Sequence, residues 1–376
     1  MDPRDFIQSR HNPSGAYLHV THRCDLACQH CFQTDETHPE NSDLTRDRLK
    51  KLMDELAALG VLWLTITGGE PFLRRDLMDI LQDARDRRFA VSLKTAGHHI
   101  NAQRAARLHE IGVRDVDISL YSHEPAVADA FTQTPGSWMR AVRGIKACVE
   151  AGVAVTVRAG MTRFNFRKLR ELKEFVLGIG ATLRIDPSVN VRTNGDTSSL
   201  ELALTAEERA EAWQLLGADV TMFLDGDPES CDGGGGFKHP GRSMCGAGTR
   251  TLSISAQGEV NPCLLHPASA GNALTRPLRE IWENSPVLQE IRGINYGEMA
   301  KTGCSGCGYQ RTCHPCMALA ATEHGANKDC NTSSFETARA KMLLARSVLP
   351  TPEGGWKDPE LPARLRGGRG MLRVLG

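Results

Sequence analysis

Apolar and polar positions across residues 16–187 alternate between two patterns. Short runs rich in Val, Ile, Leu and Thr predict strands at AYLHVT (16–21), VLWLTIT (61–67), FAVSLKT (89–95), DVDISLY (115–121), VAVTVRAG (153–160) and ATLRIDP (181–187). Between them lie longer runs at helical spacing. In LTRDRLKKLMDELAALG, Leu49, Leu52, Met53, Leu56 and Leu59 mark one face, and Gly60 follows as a helix-stopping residue. Gly112 and Gly152 end the helices before the fourth and fifth strands in the same manner. Six strand-then-helix repeats with nearly continuous apolar strands predict an α/β fold, a parallel sheet with helices outside. Six units are too few for a full eight-stranded barrel and suit a partial (β/α)6 TIM-like barrel, with its active groups at the C-terminal strand ends.

The alternation breaks near residue 189. A helical run, LTAEERAEAWQLLG, precedes the Gly-rich CDGGGGFKHPGR, which reads as a connector. The expected organisation is an N-terminal segment (1–15), a barrel with its connecting segment (16–230), a Gly-rich linker (231–243), a cysteine-rich domain (244–335), and a C-terminal helix with a Pro/Gly/Arg-rich tail (336–376). Within the cysteine-rich domain, TLSISAQGEVNPC alternates around AQG and predicts a β-hairpin that could hold Cys245 near Cys263. RPLREIWENSPVLQEIR then predicts a helix with Leu278, Ile281 and Trp282 turned to a core.

Charge narrows the partners. Lys+Arg and Asp+Glu balance at 45 each, which argues against nucleic acid or a membrane surface as partner. No apolar run approaches the roughly 18 residues that span a bilayer, and MDPRDFIQSRHNPSG lacks a secretory h-region. The expectation is a soluble cytoplasmic protein. In that reducing setting the 12 cysteines point to metal or redox chemistry rather than disulfides. Three lie at 24, 28 and 31, and seven lie between 245 and 330. Cys148, in AVRGIKACVEAG, reads as a small buried apolar residue. Cys231, in the Gly-rich loop, could be a ligand, a redox-active thiol or a plain loop residue.

CDLACQHC (24–31) follows the first strand, so its three cysteines sit at a C-terminal strand end. Iron–sulfur cubanes usually take four thiolates, and three leave one iron open for a substrate. Zinc completed by His22 or His30 is the alternative that spacing allows. The second strand runs into TGGEP (67–71). There Gly68 and Gly69 open the backbone to close approach by a ligand, and Glu70 offers a carboxylate at the same sheet edge.

These motifs together resemble the radical S-adenosylmethionine (SAM) superfamily. CDLACQHC matches its three-cysteine loop, with His30 in the usually aromatic position, and TGGEP matches its SAM-amino motif. LKTAG (93–97) is similar to a segment usually ending in Thr-Asn-Gly, with Ala96 in place of the Asn, and SLYS (119–122) resembles the fourth-strand segment beside SAM. The resemblance implies that Cys24, Cys28 and Cys31 bind a [4Fe–4S] cluster with an open iron site that chelates SAM. It implies that Glu70 holds the SAM ammonium, and that Thr95 and Ser119 contact SAM. Reductive cleavage would then yield methionine and a 5′-deoxyadenosyl radical that abstracts hydrogen from the substrate.

The later cysteines run Cys245, twelve residues, Gly258, four residues, Cys263; then Cys304-x2-Cys307-x5-Cys313-x2-Cys316; then Cys330. This array resembles the SPASM extension of radical SAM peptide maturases, with the Cys313–Cys316 gap one residue shorter than usual. The resemblance implies auxiliary cluster II on Cys304, Cys307, Cys313 and Cys330, and cluster I on Cys245, Cys263 and Cys316 with an unnamed further ligand. One or two auxiliary clusters are therefore expected. It implies an oxidoreductase that modifies a ribosomally made precursor peptide by cross-linking or another side-chain change. A sulfatase-maturase-like activity, or one on a small molecule or tetrapyrrole, is the alternative, and a zinc-binding interaction protein is the non-enzyme one. Residues 1–15 leave no room for a leader-binding domain, so a separate leader-binding protein is expected, with a flavodoxin- or ferredoxin-type electron donor.

Overall fold

The computed structural model describes residues 12–33, 43–217, 241, 243–302, 304, 307, 309 and 312–348. Cys231, most of the Gly-rich linker and the C-terminal tail lie outside the described residues. Two compact units are drawn from the chain. The first comes from Met1–Ala159, Lys173–Arg184 and Gly246–Arg292, the second from Gly160–Leu172, Ile185–Cys245 and Gly293–Gly376.

The predicted strands form within a residue or two of their expected limits: β1 Gly15–His19, β2 Trp63–Thr67, β3 Ala90–Thr95, β4 Asp115–Ser119, β5 Ala154–Gly160 and β6 Thr182–Asp186. The helices among and after them are α1 Arg46–Ala58, α2 Leu77–Asp86, α3 Ala102–Ile111, α4 Pro125–Thr132, α5 Ser137–Glu150 and α6 Leu169–Gly178. Strands run in the order β6-β5-β4-β3-β2-β1, and the registered pairs from β1 to β5 are parallel. On α1, Leu49, Leu52, Met53 and Leu56 are all buried, and Thr45 caps the first turn by accepting from Arg48 N.

The strands are less uniformly apolar than expected. Leu18, Ile66, Leu93, Ile118 and Val157 are fully buried on one face. Their neighbours Tyr17, Thr65, Lys94, Asp117 and Arg158 instead line a cavity of about 490 Å³, together with Thr182 of β6. In a flat sheet β1 and β6 would stand roughly 24 Å apart, at about 4.8 Å per strand. Side chains from both share one cavity, so the sheet is curled and its concave face is polar. The alternation follows from that: period two puts one set against the helices and the other into the lumen.

The predicted hairpin forms, with β7 Thr251–Ile254 antiparallel to β8 Glu259–Asn261 and Gly258 at φ +86° in its turn. Its first strand is also part of the barrel sheet. β7 pairs in parallel with β1, Gly15 opposite Thr251 through Leu18 opposite Ile254, and β9 Gly271–Asn272 follows β8 at the far edge. Sequence reading placed this segment in a separate domain and did not foresee the pairing, because a parallel partner is not local in the chain. The predicted helix over 276–292 is two, α7 Leu278–Asn284 and α8 Pro286–Gly293. Pro286 cannot continue a helix but suits the start of one, hence the break at Ser285. Leu278, Ile281 and Trp282 are buried as expected.

In the second unit, Thr205 and Glu208 form a capping box at the start of the helix Ala206–Leu215. Arg209 on that helix is almost fully buried and donates to the Ser333 carbonyl and the Thr337 hydroxyl of the C-terminal helix Thr332–Val348. Among the described residues no helix is long and apolar enough to cross a membrane.

Leu56→Ala should cost about 2–5 kcal/mol, as truncation at a site without solvent contact does. The exposed neighbour Lys51→Ala should leave the unfolding midpoint nearly unchanged. Equal midpoints for the two variants would rule out α1 as a core helix.

Candidate active site

Past β1 the chain enters the three-cysteine loop, which is held on two sides. On the first, Gly69 N donates to Thr21 O at 2.9 Å and Glu70 N to Arg23 O at 2.8 Å. A Cβ at Gly68 or Gly69 would overlap the backbone of Thr21, His22 and Arg23. The body that approaches this glycine pair is thus the chain's own cysteine loop. On the other side the loop leans on the C-terminus of α4. Ala27 N and Gln29 N donate to Thr132 O and Phe131 O, and the Gln29 amide donates to Ala130 O. These are the last carbonyls of the helix, where Ala130 O also accepts from the C-cap Gln133 N, so the loop adds donors at a helix end that lacks intrahelical ones.

Arg74 tightens the entry. Nearly buried, it donates to Val20 O at 2.9 Å and Leu44 O at 2.7 Å, and its other nitrogens pair with Asp76.

The three thiols face one another. Burial pushes Cys28 up to about 12, with further contributions from Cys31 and Cys24. Cys24 is pushed up to about 11 by burial, and Glu70, Asp25 and Cys31 add to the rise. Cys24 and Cys28, desolvated beside each other and Cys31, become thiolates only beside a strong positive charge. An iron–sulfur cluster supplies that charge, so the donor set fits one. Among the described residues no three metal-ligating side chains are already closed around a common point.

His30 packs at 4.8 Å from the Tyr121 ring and 4.9 Å from that of Phe131. Burial lowers it to about 4, so it is a neutral ring among aromatics, which explains how a histidine serves at an aromatic position.

Glu70 has no solvent exposure. Burial raises its pKa, against the pull of three donors. Thr95 Oγ1 stands 2.7 and 2.9 Å from its two oxygens, Ala96 N donates at 2.7 Å and Phe72 N at 3.0 Å. Thr95 Oγ1 also accepts from Gly97 N, so this hydroxyl is committed to fixing Glu70. His99, which pairs with Asp25 at 2.9 Å, lies close enough to favour the ionised carboxylate. Ser119 ends β4 half-buried and hydrogen-bonds the buried Tyr121 hydroxyl, which in turn hydrogen-bonds Cys28.

In the second unit Cys313 is raised by burial and then by Cys330, Cys304 and Cys307, and Cys330 is pushed up to about 12 by burial with help from Cys304 and Cys307. These four thiols form a second facing group, and Cys307, Cys313 and Cys330 pack against Tyr309, Phe335 and Ala338. Cys316 is raised by burial and has Glu323, not another thiol, as its charged neighbour. Cys245 is exposed in the second unit, whereas Cys263 belongs to the first and lies near Tyr17. Cys148 is fully buried, as predicted.

Sequence reading missed Arg74, the Tyr121–Phe131 ring pair and the ionic lumen. Only the last left a signal: charged residues at alternate positions in strands otherwise read as apolar, as in LKT, DVDIS and TVRAG.

Residues 18–176 match the family model of the radical SAM superfamily, and residues 245–317 match that of the iron–sulfur cluster-binding SPASM domain. Mycofactocin maturase MftC of Mycobacterium ulcerans is 31% identical over 310 residues, 80% of this chain and 81% of that one. PqqA peptide cyclase of Streptomyces rochei is 28% identical over 353 residues, 90% and 95% of the two chains. The fold is similar to that of Streptococcus suis SuiB bound to its precursor peptide SuiA, with TM-score 0.66 at 16% identity over 86% of this chain and 75% of that one.

Gly69→Ala should displace the cysteine loop and lower the iron content of anaerobically reconstituted protein by about four irons, one cubane's worth. Iron content equal to wild type would show that the glycine pair does not position the thiols.

Proposed function

Since this chain belongs to the radical SAM superfamily and carries its iron–sulfur cluster-binding extension, we propose that it alters a side chain of a ribosomally made peptide, by cross-linking or a related change. It is an enzyme that uses a [4Fe–4S] cluster, SAM and auxiliary clusters. When bound, the cluster and SAM together supply reductive cleavage of the sulfonium and a hydrogen-abstracting adenosyl radical.

In this reading Cys24, Cys28 and Cys31 hold the cluster and leave one iron to SAM. Glu70, held by its three donors, takes the SAM ammonium. Thr95 orients Glu70, and Gly68 and Gly69 seat the loop. Cys304, Cys307, Cys313 and Cys330 hold one auxiliary cluster in a domain spanning 244–335, and Cys245, Cys263 and Cys316 contribute to another. Ser119 acts beside SAM through Tyr121. A flavodoxin- or ferredoxin-type donor supplies electrons in the cytoplasm, and a separate protein presents the peptide leader.

The observation that carries the peptide substrate is the 31% identity to a maturase across four-fifths of both chains, beside similarity to a peptide cyclase over nine-tenths of this one. Mass spectrometry of candidate precursor peptides after anaerobic turnover tests it. A SAM-dependent mass change confined to the peptide supports the reading, and turnover only of non-peptide metabolites refutes it.

Cys28→Ala should abolish formation of 5′-deoxyadenosine under dithionite, and retained formation would overturn the cysteine assignment. Thr95→Val removes a hydroxyl donor from a buried carboxylate and should weaken SAM binding roughly tenfold or more, as read by equilibrium dialysis. Unchanged affinity would show that Thr95 does not position Glu70 for SAM.

A further inference from the structure

Behind the cysteine loop stands a hydroxyl that the packing of the loop does not require. Tyr121 lies two residues past β4 and is 6% exposed. Its ring meets that of His30 edge-on at 4.8 Å and that of Phe131 at 4.3 Å. A phenylalanine could pack there too, and a buried hydroxyl costs free energy unless it is bonded. The Tyr121 hydroxyl is bonded twice, to Ser119 and to the Cys28 sulfur. Once Cys28 is a metal ligand its sulfur has no proton to give, so the phenol is the donor. Its oxygen is then left to accept from the Ser119 hydroxyl. Backbone bonds hold this donor still. Leu120 N donates to Arg158 O at 3.0 Å and Ser122 O accepts from Trp138 Nε1 at 3.2 Å, one on each side of Tyr121.

We propose that Tyr121, through its hydrogen bond to Cys28, raises the reduction potential of the cluster held by the cysteine loop. The proposal rests on the reading above that Cys24, Cys28 and Cys31 hold a cluster. One-electron reduction adds negative charge to the irons and to their thiolate ligands. A hydrogen bond to a ligand sulfur is therefore stronger in the reduced state and stabilises it. Burial keeps water from competing for that sulfur, and the Ser119 hydroxyl polarises the phenol further. With the potential raised, a milder donor suffices to reduce the cluster. Tyr121 is a positioning residue in this account, since it acts only through the Cys28 sulfur.

The test is a redox titration of the anaerobically reconstituted full chain, reduced with dithionite and followed by electron paramagnetic resonance. A variant with Cys24, Cys28 and Cys31 all changed to Ala identifies the auxiliary waves, and the wave it lacks belongs to the loop cluster. In Tyr121→Phe that wave should move to lower potential at unchanged iron content. The expected size is a roughly tenfold change in the reduction equilibrium, about 59 mV for one electron. The auxiliary waves should stay in place. Ser119→Ala should move the loop wave in the same direction by less. If Tyr121→Phe fails to take up iron, Ser119→Ala decides, and an unmoved wave there overturns the proposal. An unmoved or raised loop wave in Tyr121→Phe overturns it too, as does an equal shift of every wave, which would mark a general loosening of the fold. A three-alanine variant that lacks no wave would instead refute the cluster reading, and the proposal with it.

Discussion

Close contact between two stretches of backbone governs the candidate site. The Gly68–Gly69 pair lies against Thr21–Arg23 with no room for a Cβ. Two hydrogen bonds cross that contact, and Glu70 begins where it ends. The glycines therefore do two jobs through one constraint. They set the height of the first cysteine above the sheet, and they fix the backbone from which the buried carboxylate projects. Thiols and carboxylate come from different strands, β1 and β2, and this contact makes their relative position a property of the sheet rather than of a mobile loop.

From that anchor the surroundings follow. Arg74 satisfies carbonyls at Val20 and Leu44, where the loop leaves β1 and where the chain approaches α1. The open C-terminal carbonyls of α4 take up the amides of Ala27 and Gln29. Phe131, on the same helix, closes over His30 with Tyr121. Backbone hydrogen bonds on both flanks thus fix the loop that carries the three thiols.

Much of this was legible in the sequence where the signal is local. Six strands, the glycine-terminated helices, the hairpin around Gly258 and burial of Cys148 all rest on period and turn chemistry within a few residues. Non-local features were not legible. Nothing in TLSI announces a parallel pairing with Gly15–Leu18, and nothing in Arg74 announces two carbonyls at Val20 and Leu44. Pro286 was visible, yet the run around it was read as one helix because apolar spacing continued across it. Thr95 shows the same limit at the site. The resemblance implies a SAM contact for Thr95, while the bond of its hydroxyl to Glu70, across two strands, has no local signal.

The charges in the first unit are sorted by position. Glu70, Asp25 and the three thiols gather at the C-terminal rim, so the rim is acidic once the thiols ionise. Lys94, Arg158 and Arg184 lie on the inner face of β3, β5 and β6, where Asp117 pairs with the first two. A cofactor with a sulfonium and an ammonium is attracted to the first region. Fields of this kind act over distances comparable with the roughly 8–10 Å screening length of physiological salt, and further where water is excluded. Only the alternation of inward residues along the strands is needed to place the two fields. The same alternation hid those residues among the apolar positions that pack against the helices.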